Sequence, residues 1–410
     1  MLHTQSTLSR LCKTNIAKSL VQKIYSYQAL SALSSQSLHH LSSKHTCRLG
    51  KTKNGLPLWK KRKINMRKFS SSRILSNIWD LKNTNVTYFQ EGSSPSLHDG
   101  LSLLDRYIFV KTLVNFYEDV PDGIILDTAY ADSRPGEEFD PAVPVIVGVH
   151  DTPGSHSDLT SILSTFAKVG CRTIAPTFPG HGNTQGLMRG FDDVFSHSTL
   201  ERALFLQDFL DTLGIEKVDL MVGVGAGCYP TLRLCAGVES GYMYKSMALI
   251  SPWPLTRPRY ETHSDLLQSI LYLWDRPLFR GPAKLLLPAY KIGNVNTVRE
   301  KVTSAYVLGN LDLAEASSLA FTAVTMNLPR LLVFGNLDPE VEPGLYLDYA
   351  HQLEIPPENI QTFSGKLATP VLPGALSFTE AGYNLHLEHP GIISAYLMHL
   401  IQLFRPHIRF

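Results

Sequence analysis

Val145–Val149 reads Val-Ile-Val-Gly-Val, an unbroken apolar run of strand length. Such a run predicts a strand buried on both faces, not one with a solvated side. Further strand signals occur at 123–129, 171–175, 217–222, 244–250 and 331–334, with another strand expected at 86–89. Between them the period lengthens to that of a helix, at 159–169, 199–213, 226–236 and 392–404. Asp158 stands where it could cap the first of these, and Gly214 follows the second. The stretch 132–144, with Pro135, Gly136 and Pro141, reads as a turn region. Strand and helix alternating in this way predict a mostly parallel sheet with helices on both faces, an α/β fold. From 252 to 328 the strand signal stops. That stretch is helical and broken by Pro254, Pro258, Pro277, Pro282 and Pro288, so it reads as a helical insertion.

Composition fits a globular body, with 44% hydrophobic and 18% charged residues. There is no run of 18 apolar residues, which excludes a transmembrane helix. Charge divides the chain in two. Residues 1–79 hold 15 Lys and Arg and no acid, whereas the remaining 331 hold 23 Lys and Arg against 36 Asp and Glu, a net −13. A basic, Ser-rich, acid-free leader has the composition of a mitochondrial transit peptide, with the matrix as destination. Ile16, Leu20, Ile24 and Tyr27 could form one apolar helix stripe within it, and Arg67-Lys68-Phe69-Ser70-Ser71 resembles a processing site. The expected divisions are therefore a leader at 1–79, a core in two parts at 80–252 and 329–410, and a helical cap insertion at 253–328. An acidic body excludes the basic surface that nucleic-acid binding needs. Cys171, Cys228 and Cys235 are too few and too scattered for a disulfide framework or a zinc site, so no metal or cofactor is expected.

The candidate chemistry lies in the loops. Lys217 to Val222 leads into Gly223-Val224-Gly225-Ala226-Gly227 and a helix, the strand–turn–helix context of a G-x-S-x-G nucleophile elbow. His150-Asp151-Thr152-Pro153-Gly154 and Phe178-Pro179-Gly180-His181-Gly182 each follow a strand. Phe334-Gly335-Asn336-Leu337-Asp338 ends another, and Gly382-Tyr383-Asn384-Leu385-His386-Leu387-Glu388-His389-Pro390 opens the closing helix. Together these resemble, in chain order, the HG-x-PG oxyanion loop, the PG-x-G loop and the elbow, acid and histidine loops of the α/β-hydrolase superfamily, and the body looks closest to an uncharacterised animal branch of it. The resemblance implies an α/β-hydrolase fold with a helical cap. It places the nucleophile at Gly225, the acid at Asp338, the base at Tyr383, and the oxyanion loop at His150, Asp151 and Ala226.

The departures carry the functional expectation. Gly225 has no side chain, and Tyr383 is a poor base near neutrality, with a reference pKa of about 10. A triad works as one hydrogen-bonded line, so a degenerate one predicts a catalytically inactive pseudohydrolase. The alternative is a serine-independent hydrolase with displaced groups, for which Cys228, His181, His386 and His389 are the candidates. Asp338, lacking a histidine, is expected to cap its own turn or to accept a bond from Tyr383. Asp151 replaces a usual glycine and would oppose a developing oxyanion. The glycine turn also mimics a dinucleotide fingerprint, but Cys228 occupies its third glycine position and no acid ends the next strand. The apolar segments 266–274 and 285–290 could line a pocket for a small hydrophobic ligand, or simply pack the insertion; a protein partner is the other expectation. Their spacing shows no basic face to support attachment at a membrane surface.

Overall fold

The computed structural model describes residues 103–184, 186, 195–237, 243–255, 262–286, 297–363, 365 and 369–408. The leader and the strand expected at 86–89 lie outside the described residues. The described strands are β1 (Leu104–Thr112), β2 (Ile124–Asp132), β3 (Val145–Val149), β4 (Arg172–Pro176), β5 (Leu220–Val224), β6 (Met247–Ile250), β7 (Arg330–Gly335), β8 (Ile360–Phe363) and β9 (Gly374–Phe378). They form one sheet in the order β1-β2-β4-β3-β5-β6-β7-β9-β8. β1 and β2 pair antiparallel, as do β2 and β4, and every other neighbouring pair is parallel.

The unbroken apolar runs are explained by two cores. Along a strand, successive side chains point to opposite faces. Val145, Val147 and Val149 enter one core with Met221, Met247, Leu249, Leu332 and Phe334. Ile146 enters the other with Leu220, Val222, Ala248, Ile250, Leu331 and Val333. The first core is covered by α2 (Thr199–Thr212) and α3 (Cys228–Ala236), through Phe205, Phe209, Tyr229 and Leu232. The second is covered by α1 (Thr160–Lys168) and the C-terminal helix Pro390–Gln402, through Ile162, Phe166, Ile393 and Leu397.

Helix ends follow local chemistry. Ser198 caps α2 by accepting from the Glu201 N–H at 3.3 Å, and Gly214 beyond its C-terminus takes a left-handed φ of 67°. Asp158 does not cap α1 as its position suggested. Its Oδ2 accepts from the Ser155 N–H at 2.8 Å, inside a short 3₁₀ turn over His156–Leu159 that precedes the helix. The competing bond arises because the chain needs a further turn between β3 and α1.

Among the described residues four helices lie between β6 and β7: α4 (Thr262–Trp274), α5 (Arg280–Leu286), α6 (Val298–Gly309) and α7 (Leu313–Thr325). α6 is fastened over the ends of β3 and β4. Glu300 accepts from the Gly182 N–H at 3.0 Å, Arg299 donates to the carbonyls of Gly180 and Thr184, and the Thr152 and Ser304 hydroxyls are 3.0 Å apart. The chain ends with α8 (Pro343–Gln352), α9 (Leu385–Glu388) and α10 (Pro390–Gln402).

Candidate functional site

β5 ends at Val224, and Gly225 turns the chain with φ +54° into a three-residue 3₁₀ turn that opens α3. A left-handed backbone at this position favours glycine, since a Cβ is strained there. Gly227 is small for a different reason: a Cβ on it would meet the carbonyls of Val149 and His150 at the end of β3. The turn therefore brings the elbow against the loop that follows β3.

That loop fills the space above Gly225. A Cβ built on Gly225 would lie within 3.0 Å of both the Tyr383 hydroxyl and the Asp151 carboxylate. Asp151 Oδ1 accepts from the Ala226 N–H at 2.7 Å, and its Oδ2 accepts from the Tyr383 hydroxyl at 2.6 Å. The Ala226 N–H, which the sequence resemblance led us to expect in an oxyanion loop, is thus bonded to a carboxylate of the chain itself. Burial pushes the Asp151 carboxyl up to about 6, against the bonds from Tyr383 and Ala226 that favour its charge. Burial, with the Asp151 charge beside it, holds the Tyr383 phenol well above its ordinary range. Tyr383 is itself oriented by Ser251, at the end of β6, whose hydroxyl donates to the Tyr383 carbonyl at 2.8 Å.

Asp338, at the end of β7, does not bond Tyr383. Its Oδ1 accepts from the N–H groups of Glu340 and Val341 at 2.8 and 3.1 Å, so the turn-capping expectation describes it. Its Oδ2 accepts from Tyr346 on α8 at 2.5 Å. Tyr346 is only eight residues away and reaches Asp338 across a single turn, which leaves Tyr383 free for Asp151. Burial raises the Asp338 carboxyl above its usual range.

His150 and His181 are held as neutral hydrogen-bonding groups. His150 Nδ1 donates to its neighbour's carbonyl at 2.5 Å and its Nε2 accepts from the Phe178 N–H at 2.9 Å; burial first, then the Arg202 charge, bring it down to about 3. His181 Nε2 lies 2.7 Å from the Thr152 hydroxyl, and burial puts it well below the usual histidine range. His386 is buried, depressed to about 4, with no partner for Nδ1. The His389 ring stacks on Phe378 at 4.7 Å. Cys228 points into the core, its thiol donating to the Ile250 carbonyl at 3.7 Å, and burial pushes it well above the ordinary thiol range.

Three residues at this site carried no sequence signal of their own. Ser251 and Tyr346 matter only through the partners that folding gives them. Arg202 is buried on α2 with its guanidinium 3.9 Å above the Phe178 ring, brought down to about 10 by burial, and its Nε and Nη2 lack hydrogen-bond partners. Its place on a helix face otherwise made of core residues hid it.

Residues 108–256 match the family described as "Alpha/beta hydrolase of unknown function (DUF1057)". A candidate lipase from Acinetobacter baumannii AYE shares the architecture with a TM-score of 0.50 at 15% identity, over 75% of this chain and 94% of that one. A haloalkane dehalogenase loop variant from Bradyrhizobium elkanii aligns with a TM-score of 0.48 at 16% identity, over 74% and 98%. The thioesterase domain from the curacin biosynthetic pathway aligns at 0.48 and 14%, over 72% and 99%. No curated protein matches in sequence. The fold is that of the α/β hydrolases, with a mostly parallel sheet between two helical layers.

Proposed function

We propose that this chain is a pseudohydrolase: an α/β-hydrolase-fold protein that binds rather than cleaves. One observation carries the reading. The place of a nucleophile above Gly225 is taken by the Asp151–Tyr383 pair, and the same carboxylate satisfies the Ala226 N–H. In a related triad, loss of the serine or the histidine alone costs about 10⁶-fold in turnover. Here both positions lack the needed group, and a carboxylate on the backbone donor would repel the negative charge that acyl transfer develops.

The reading with displaced catalytic groups has less support. A thiolate is the reactive form of cysteine, and Cys228 is held as a buried thiol. His150, His181 and His386 are depressed far below neutrality and occupied or buried. The purified full chain should show no stoichiometric labelling by a fluorophosphonate probe. Clear one-to-one labelling at any residue would overturn the non-catalytic reading.

As to what is bound, the apolar residues of the insertion favour a partner over an enclosed hydrophobic ligand. Leu267 and Leu271 of α4 pack on Ala305 of α6, and Ile270 packs on Val302, so they fill the space between helices. No cofactor or metal enters this reading. The acid-free basic leader supports import into the mitochondrial matrix. A fluorescent fusion of residues 1–79 is expected to enter mitochondria, and a diffuse cytosolic signal would end that proposal.

A further inference from the structure

The charge of the body is not evenly spread. Although residues 80–410 carry a net −13, the α4–α5 hairpin over 262–286 holds Arg276, Arg280 and Lys284 against Asp265 and Asp275, a net +1, and its part from 276 onward holds no acid. Arg276, Arg280 and Lys284 belong to the turn and helix that follow α4, and α4, the 3₁₀ turn Pro277–Phe279 and α5 pack against one another as a hairpin.

The same hairpin exposes large apolar side chains. Leu278 is 91% exposed and Leu285 82%, the two highest values among the exposed large hydrophobic residues described. Tyr272 and Phe279 are also exposed. The cations are laid on aromatic rings: Arg276 stands 4.0 Å over Tyr272 and Arg280 5.8 Å over Trp274, with Arg280 Nε donating to the Trp274 carbonyl at 3.1 Å. Aliphatic tips, aromatic rings and guanidinium groups on one short hairpin have the chemistry of a bilayer interface, where apolar groups enter the acyl boundary and cations meet phosphate headgroups. Linear spacing hid this, because the cations come from the turn and the second helix rather than from one face of a continuous helix.

We propose that the α4–α5 hairpin docks this protein on an anionic lipid surface, with Leu278, Phe279 and Leu285 inserted and Arg276, Arg280 and Lys284 on the headgroups. Charge complementarity selects this occupant. The protein's own leader carries the same sign as the hairpin and is repelled by it, and a second acidic body would meet the cations but leave the apolar tips without an apolar partner. Among the described residues no helix is long and apolar enough to cross a membrane. The attachment rests on residues apart from the Asp151–Tyr383 site and stands whether or not that site is catalytic.

The test uses the full chain with Cys12→Ser and Cys47→Ser, leaving only buried cysteines. A polarity-sensitive fluorophore is placed at Leu278→Cys or, as a control, at the exposed Asp140→Cys. Vesicles of phosphatidylcholine, with or without phosphatidylglycerol, carry a spin-labelled acyl chain. The fluorophore at 278 should shift to the blue and be quenched on anionic vesicles, and the one at 140 should not. Separately, Leu278→Ser with Leu285→Ser, and Arg276→Glu with Lys284→Glu, should each lower vesicle affinity at least about tenfold. Vesicle binding without quenching at 278 would assign attachment to the basic leader and overturn the proposal. Equal binding to neutral vesicles would overturn it too, as would a Leu278→Ser/Leu285→Ser change that only dissociates a dimer in sedimentation without lipid.

Discussion

Gly225→Ser is expected to destabilise the protein without creating an esterase. The residue must hold a φ of +54°, and its Cβ would fall inside the contact distance of Tyr383 and Asp151. Left-handed strain and overpacking each cost about 1–3 kcal/mol, so a loss of about 2–6 kcal/mol in urea unfolding is expected. Adding Tyr383→His removes one clash and leaves the carboxylate on the Ala226 N–H, so this double variant should remain unlabelled by a fluorophosphonate. Only with Asp151→Gly as well are the space and the donor both released. The triple variant should recover part of the stability, because the substitutions share one cluster and do not add independently. It is also the first of the series expected to label. A Gly225→Ser single variant as stable as the parent, and labelled, would show that the Asp151–Tyr383 pair does not fill this space.

Mild acid is expected to weaken the fold by several kcal/mol. His150 and His197 are brought down to about 3 and His386 to about 4 by burial, and burial also lowers His181 well below the usual histidine range. All are neutral in the folded protein and take up protons on unfolding, near the free-histidine value of 6.5. Their contribution is therefore complete above 6.5 and is lost as pH falls toward 4 and 3. At pH 5 each lies about 1.5 units below 6.5, worth about 2 kcal/mol, so the three with values lose about 6 kcal/mol together. Asp151 acts the other way. Its carboxyl, raised to about 6, binds a proton in the folded state before the unfolded one does, which returns about 1–2 kcal/mol by pH 5. The raised carboxyls of Glu201 and Asp338 work in the same sense. A net fall of about 4 kcal/mol between pH 7 and 5 is the expectation, from urea midpoints measured across that range. A flat midpoint would mean that these histidines are not buried as described.

The chain's own pattern determined the α/β architecture, because strands enclosed by two cores must be apolar at consecutive positions. That is why β3, β5, β6 and β7 can be read directly. β1 could not be: Asp105, Arg106 and Lys111 interrupt it, since it is an edge strand with a solvated side. β8 and β9 do not stand out because polar residues break their apolar pattern, Gln361 and Thr362 in β8 and Ser377 in β9. The sequence likewise marked Gly225, Ala226, His150, Asp151, Asp338 and Tyr383, since turn glycines and loop-bound polar residues stand out against apolar strands. What it left open was partnership. Asp151 and Tyr383 are 232 residues apart and meet only because β3 and β9 run parallel and deliver their following loops to the same carboxyl end of the sheet. Asp338 had two aromatic hydroxyls within conceivable reach, and the placement of α8 selected Tyr346. The hairpin's apolar and basic residues become one surface in the same way, when α4 folds back on α5. Periodicity records which side of an element faces the core, and so specifies elements. Which polar groups meet depends on how the ends of those elements are brought together, and only the tertiary structure decides that.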